Sequence, residues 1–134
     1  MIFLDSNIFV YSADAADKAK QSRAYSIIKN AVDNPSFVIS SQVLNEFSNV
    51  ALSKLRKSVF EVARFIRLFR RIRVVPVVPD LTLEALLIKD QYGLQFYDSL
   101  LIASAVANGC NEFWSEDLGN GVVYSGVKVI NPFP

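Results

Sequence analysis

Met1-Ile2-Phe3-Leu4-Asp5-Ser6-Asn7 sets the frame for the chain. An apolar run stops abruptly at an acid followed by two small polar residues, the pattern of a short buried strand that opens into a helix or turn. Similar runs return at Phe37 to Ile39, Glu112 to Ser115 and Val127 to Ile130. Between them the pattern turns helical. From Asp17 to Val32, residues Ala24, Ile27, Ile28, Ala31 and Val32 fall on one helical face, and Asp33-Asn34-Pro35 breaks it. Ser40-Ser41 predicts the cap of a helix from about Gln42 to Arg56, and another helix covers Ser58 to Ile72. Asp80 or Thr82 caps a helix running to Tyr92 and ended by Gly93, and Asp98 starts one that runs to Asn108-Gly109. Val74 to Pro79 is strand-like in composition, but Pro76 and Pro79 exclude a central strand and leave an extended connector or edge. Short apolar strands alternating with amphipathic helices predict one α/β domain over residues 1–134. The expected form is a three-layer α/β/α sandwich on a short, mainly parallel sheet of four to five strands.

Composition narrows the chemistry. The 134 residues include 14 Lys plus Arg, 13 Asp plus Glu and no His, with 51% hydrophobic and 20% charged residues, a balance that suits a buried core. Without imidazole there is no Ser-His-Asp or Cys-His triad and no His-ligated metal. The single cysteine, Cys110, excludes an internal disulfide and a Cys-rich zinc site. The opening residues hold neither a basic segment nor an apolar signal-peptide core, and no apolar stretch approaches the roughly 20 residues needed to span a bilayer. A soluble, cytoplasmic protein without a membrane association is expected.

In open α/β sheets, ligands bind beyond the carboxyl ends of the strands, near the switch in strand order. Four acids fall at such places: Asp5 after the first strand, Glu46 in the second turn after the second, Asp98 at a helix start, and Asp117 just past Ser115. Glu112 and Glu116 are neighbours of the last. Each has a plainer reading alone: Asp98 as a helix cap, Glu46 as a solvated helix residue, Asp117 as a turn former. Together they point to a cation, because crowded carboxylates raise one another's pKa unless one neutralises them. A hard divalent ion such as Mg²⁺ takes oxygen ligands and keeps waters that can attack a phosphoryl centre.

The segments Phe3-Leu4-Asp5-Ser6-Asn7, Leu44-Asn45-Glu46-Phe47, Tyr97 to Ala103 and Trp114-Ser115-Glu116-Asp117-Leu118 resemble, in order and spacing, the PIN-domain family and its VapC-like toxin branch. The resemblance extends over essentially the full chain. It implies a PIN-like ribonuclease in which an acidic quartet binds Mg²⁺ or Mn²⁺ and activates water for in-line attack on an RNA phosphodiester. Carried over, the quartet is Asp5, Glu46, Asp98 and Asp117, acting as metal ligands and catalytic groups. Ser6, Asn7 and Ser115 match polar positions that would orient carboxylates or water. The resemblance also implies a toxin held by a cognate antitoxin protein, and a homodimer.

Positive charge is concentrated elsewhere. Between Lys54 and Arg73 lie eight of the 14 basic residues against one acid, Glu61, a local balance of +7. On a helix, Lys57, Glu61, Arg64, Arg67 and Arg71 would form one polar stripe opposite Val62, Ile66 and Phe69. The stripe reads either as a solvated face or as a contact for an RNA backbone through Arg64, Arg67 and Arg71, with an antitoxin's acidic tail as a competing ligand. Two alternatives to the nuclease remain at this level. One is aspartyl phosphoryl transfer through Asp5, which finds Asn7 where a second acid is needed and no partnering Lys. The other is a catalytically silent RNA- or antitoxin-binding module.

Overall fold

The computed structural model describes residues 1–134 and forms one six-stranded sheet in the order β3-β2-β1-β4-β6-β5. The elements are β1 (Ile2–Leu4), α1 (Ser6–Ala13), α2 (Lys18–Ala31), β2 (Phe37–Ser40), α3 (Ser41–Ser53) and α4 (Val59–Phe69). They continue as β3 (Arg73–Val75), α5 (Pro79–Tyr92), α6 (Phe96–Ala107), β4 (Glu112–Trp114), β5 (Val123–Tyr124) and β6 (Val127–Ile130). All pairings are parallel except β5 with β6.

The opening strand takes the middle of the sheet. Phe3 is in register with Val38 on one side and Phe113 on the other, and the Phe3 and Phe113 rings stack at 5.4 Å. Successive strand residues point to opposite faces, and Phe3 and Leu4 are both fully buried, so both faces of the sheet are covered. Helix α1 packs on both α2 and α3, α3 packs on α4, and α5 packs on α6, giving the expected sandwich. The chain runs outward through β2 and β3, then returns to the other side of β1 as β4. The switch in strand order therefore lies between β1 and β4, whose ends lead into Asp5 and Ser115.

Several boundaries differ from the sequence expectation, each for a local reason. The sixth strand, β5, belongs to a hairpin with β6, closed by Ser125 at φ 50° and Gly126 at φ 84°. Two consecutive positive φ values define the turn that matches the twist of paired strands, and a two-residue strand is too short to show a period in sequence. Helix α5 begins at Pro79 and not at a cap by Asp80 or Thr82. Proline suits the first helical position because its missing N–H would have no partner there. Helix α6 begins at Phe96 after Gln95, so Asp98 lies within its first turn and does not cap it. Helix α3 ends at Ser53, and Arg56 turns left-handed at φ 53°. Ser58 and Glu61 then start α4 through a reciprocal capping box, and it ends at Phe69, which leaves Arg71 outside the helix. Of the segment Val74 to Pro79, only Val74 and Val75 join a strand, β3, at the sheet edge.

An aromatic cluster joins the helices that carry the opening acids. Phe69 of α4 meets Phe9 of α1 at 4.7 Å and Phe47 of α3 at 4.9 Å, edge to face, and all three rings are buried. Phe69→Ala is expected to lower unfolding free energy by about 3–5 kcal/mol in urea titrations. Phe60→Ala, at a residue 79% exposed, should change it by no more than about 0.5 kcal/mol.

Candidate active site

Asp5 leaves β1 at the switch point and caps α1. Its Oδ1 accepts from the Ser6 backbone N–H at 2.6 Å and from the Ser6 hydroxyl at 3.3 Å, and its Oδ2 accepts from the Ser115 hydroxyl at 2.7 Å. Ser115, fully buried just beyond β4, has one proton, and it goes to Asp5. The Ser115 oxygen in turn accepts from the Asn7 amide at 3.1 Å and the Asp117 backbone N–H at 3.0 Å. Asn7 Nδ2 also reaches Asp117 Oδ2 at 3.3 Å. One hydroxyl thus joins the first acid, the fourth acid and Asn7 into a single network.

The other two acids meet from α3 and α6. Gln42 lies one turn before Glu46, and its amide donates to Glu46 Oε2 at 3.4 Å and to the Tyr97 carbonyl at 2.9 Å, next to Asp98. The Ser6 hydroxyl lies between Asp5 and Glu46, a single proton facing two carboxylates. Asp5, Glu46, Asp98 and Asp117 all line one cleft of about 280 Å³. Asp14 and Lys54 stand at its wall, and Lys54 is the only basic residue there.

The electrostatics are those of uncompensated negative charge. Burial pushes Asp5 up to about 6, against the opposing pull of its Ser115 and Ser6 hydrogen bonds, with the Glu46 and Asp98 charges adding to the rise. Burial also raises Glu46, while Gln42 and Ser6 lower it and Asp98 raises it further. Asp98 is raised by burial and then by the Asp117 charge. Neither ion pair of the protein, Lys20–Glu116 or Arg71–Asp33, involves any of the four.

Glu116 is turned to another partner. Lys20 Nζ lies 2.6 Å from its carboxylate, and this bond, with one from the Tyr11 hydroxyl, holds Glu116 below the usual carboxylate range. Asp117, not Glu116, lines the cleft. The basic residues part ways as well. Arg64 and Arg67 are exposed on α4, whereas Arg71 lies beyond the helix in an ion pair with Asp33 and does not continue their stripe. None of the three lines the cleft. Sequence reasoning missed Gln42 and Lys20. Gln42 is signalled only by its spacing of four from Glu46, and Lys20 by nothing local, since its partner is 96 residues away.

The donors are all hard oxygens, with no thiol or imidazole among them. No three carboxylates converge closely enough to share one ion as the side chains stand. Mg²⁺ does not require that, because it commonly takes one or two protein carboxylates and keeps several waters. Two buried oxygens of cleft residues, Glu46 Oε1 and Asn7 Oδ1, have no hydrogen-bond donor. Unpaired buried acceptors beside raised carboxylates fit a hydrated divalent cation, with Asp5, Glu46, Asp98 and Asp117 as the residues to hold it.

No curated protein matches the chain by sequence. Among solved structures, a toxin–antitoxin complex from Klebsiella pneumoniae aligns with a TM-score of 0.73 at 16% identity, over 99% of this chain and 98% of that one. Mycobacterium tuberculosis VapC20, described as a sarcin-ricin loop cleaving toxin, aligns with a TM-score of 0.71 at 22% identity, over 96% and 99% of the two chains. DNA-bound VapBC from Salmonella typhimurium aligns with a TM-score of 0.69 at 16% identity, over 96% and 95%. These likenesses establish the fold. The PIN domain family model matches residues 2–119, which include all four acids of the cleft, and the chain belongs to that family.

Proposed function

We propose that the chain is a divalent-metal-dependent endoribonuclease that hydrolyses RNA phosphodiester bonds, and that it is the toxin of a toxin–antitoxin pair. The observation that carries this reading is the meeting of four carboxylates from four separate segments in one cleft, with no protein cation paired to any of them. Membership in the PIN family and likeness to VapC20 support a nuclease acting on RNA. Likeness to a toxin–antitoxin complex and to VapBC supports a cognate antitoxin protein as partner. Leu83, Leu86 and Leu87, exposed on one side of α5, offer an apolar surface for the second copy of a homodimer.

A bound Mg²⁺ or Mn²⁺ would neutralise the cleft and acidify a coordinated water. The chain's own part is to hold acceptors in place. Ser6 and Ser115 fix both oxygens of Asp5, and Asn7 fixes Asp117. Glu46 Oε1, with no donor, is the oxygen open to take a proton from an attacking water.

Three outcomes test this reading. The Asp98 carboxylate bonds to nothing in the protein, so Asp98→Asn should keep the parent's melting temperature while cleavage of labelled RNA falls at least about 100-fold. Cleavage that persists in EDTA, or equally in Asp98→Asn, overturns the nuclease. No cleavage by the parent in Mg²⁺ or Mn²⁺ shifts the reading to a silent RNA- or antitoxin-binding module using Arg64 and Arg67.

Asp117→Asn should abolish cleavage, whereas Glu116→Gln, at the residue bound to Lys20, should keep activity within about tenfold of the parent. Equal losses in single-turnover assays would place both acids in the chemistry.

The third concerns pH. Asp5 titrates near 6 when folded and 3.8 as the unfolded reference, so the folded state holds the extra proton. Its stability contribution is complete below pH 3.8 and is lost as pH rises through about 6, on the order of 3 kcal/mol for this group. Glu61 and Glu116 are lowered and ionised throughout pH 5–7, so they do not reverse the sign. Metal-free protein should therefore melt at a higher temperature at pH 5 than at pH 7, and saturating Mg²⁺ should remove the difference. Calorimetry should also show Mg²⁺ affinity rising with pH through about 6.

A further inference from the structure

Helix α3 presents Gln42, Asn45, Glu46 and Asn49 at successive intervals of three, one and three residues, which places them on one face. With Val77, Tyr97 and Leu100 that face lines a second cavity, of about 400 Å³. Glu46 is a wall common to this cavity and the carboxylate cleft. The chemistry of the two spaces differs. Glu46 is the only charged residue of the second cavity, which otherwise carries three side-chain amides, a tyrosine and two aliphatic side chains.

Gln42 is 7% exposed, and its orientation is determined. Both groups near its nitrogen, the Tyr97 carbonyl and Glu46 Oε2, are acceptors, so the NH₂ must face them. Its Oε1 is then buried with no donor. Asn45 and Asn49 are exposed, and Tyr97 is 57% exposed, with the Phe96 ring edge-on to it at 5.3 Å. An exposed aromatic ring, neutral amides and an aliphatic floor suit a flat, uncharged ligand with both donors and acceptors. An acidic peptide or a phosphate would find Glu46 and no cation here.

We propose that this cavity is a nucleobase subsite: one unstacked base of the RNA strand, next to the phosphodiester in the cleft, lies against Tyr97 while Asn45, Asn49 and Gln42 read its edge. Adenine is the favoured base, since a side-chain amide matches its N6 donor and N7 acceptor together. The assignment rests on the nuclease reading, in that the cleft positions the phosphate. It adds a source of sequence preference that lies outside the four acids.

The test uses short single-stranded RNAs that differ only in the bases flanking the cut, in Mg²⁺. The parent should favour adenine at one flanking position by about 5- to 150-fold in kcat/KM. Asn45→Ala/Asn49→Ala should flatten that preference while still cutting the disfavoured RNAs. Tyr97→Ala, which keeps the backbone carbonyl used by Gln42, should raise KM about 5- to 150-fold with kcat little changed, and Tyr97→Phe should restore the parent KM. A parallel binding measurement walks 2-aminopurine along a short RNA in the Asp98→Asn background. Its fluorescence should be quenched at one position, and the quenching should be lost on adding Tyr97→Ala but not Tyr97→Phe. If the parent cuts RNA and the variants keep its base preference, the subsite is overturned and the nuclease stands. If the parent cuts nothing yet Tyr97-dependent quenching is seen, the subsite stands and the nuclease falls. Absence of both cleavage and quenching overturns the two together.

Discussion

The buried carboxylate of Asp5 is the constraint on which the rest of the site depends. It is 5% exposed, in a place that would penalise a charge severely without donors. Three hydrogen bonds hold it, two from Ser6 and one from Ser115. The bond from Ser115 has the longest reach. Because the only proton of that hydroxyl is committed to Asp5, its oxygen can only accept, and it accepts from Asn7 and from the Asp117 backbone. The position of the fourth acid therefore follows from the protonation pattern around the first. What the three bonds leave uncompensated appears as a pKa of about 6.

A second network meets the first across the cleft. Phe47 anchors α3 in the aromatic cluster, and Glu46 beside it is directed to the cleft. Gln42 then ties Glu46 to the Tyr97 carbonyl, so one amide joins the second acid to the backbone one residue before the third. Ser6 lies between the halves. Each half joins segments distant in sequence through a single polar side chain that is itself buried, which confines the acids to one arrangement and leaves few ways to relax their repulsion within the protein.

How much of this was legible depends on the range of the interaction. The strands β1, β2, β4 and β6 could be read because a buried parallel strand is an unbroken apolar run, and the acids could be read because they follow such runs. The start of α5 was misplaced because Asp80 and Thr82 resemble caps while Pro79 already serves the first turn. Asp98 resembled a cap until the helix proved to begin at Phe96. The hairpin strand β5 depends on backbone angles at Ser125 and Gly126 that leave little trace in composition. Between Glu116 and Asp117 the sequence offers no distinction, because Lys20 comes from another helix. Arg71 fits the helical stripe by spacing, but the helix ends before it and Asp33 takes its charge.

The separation of charges also bears on how an RNA strand would be held. The chain is close to neutral, yet five of its 13 acids line the cleft and five of its seven arginines lie on or just after α4. At physiological salt, exposed charges are screened over about 8 Å, so exposed Arg64 and Arg67 act where a backbone touches them and do little to neutralise the cleft. Lys54 is the one cation at the cleft wall, against five acids there, Asp5, Asp14, Glu46, Asp98 and Asp117. A phosphodiester entering that space unaccompanied would be repelled. On the proposed reading, Arg64, Arg67 and Lys54 would hold neighbouring phosphates, and the amide-lined cavity beyond Glu46 would spare an uncharged base that repulsion. On the same reading, admission of the scissile phosphate would depend on charge that the chain does not supply, and the acids would be a condition for cation binding before they are a condition for chemistry.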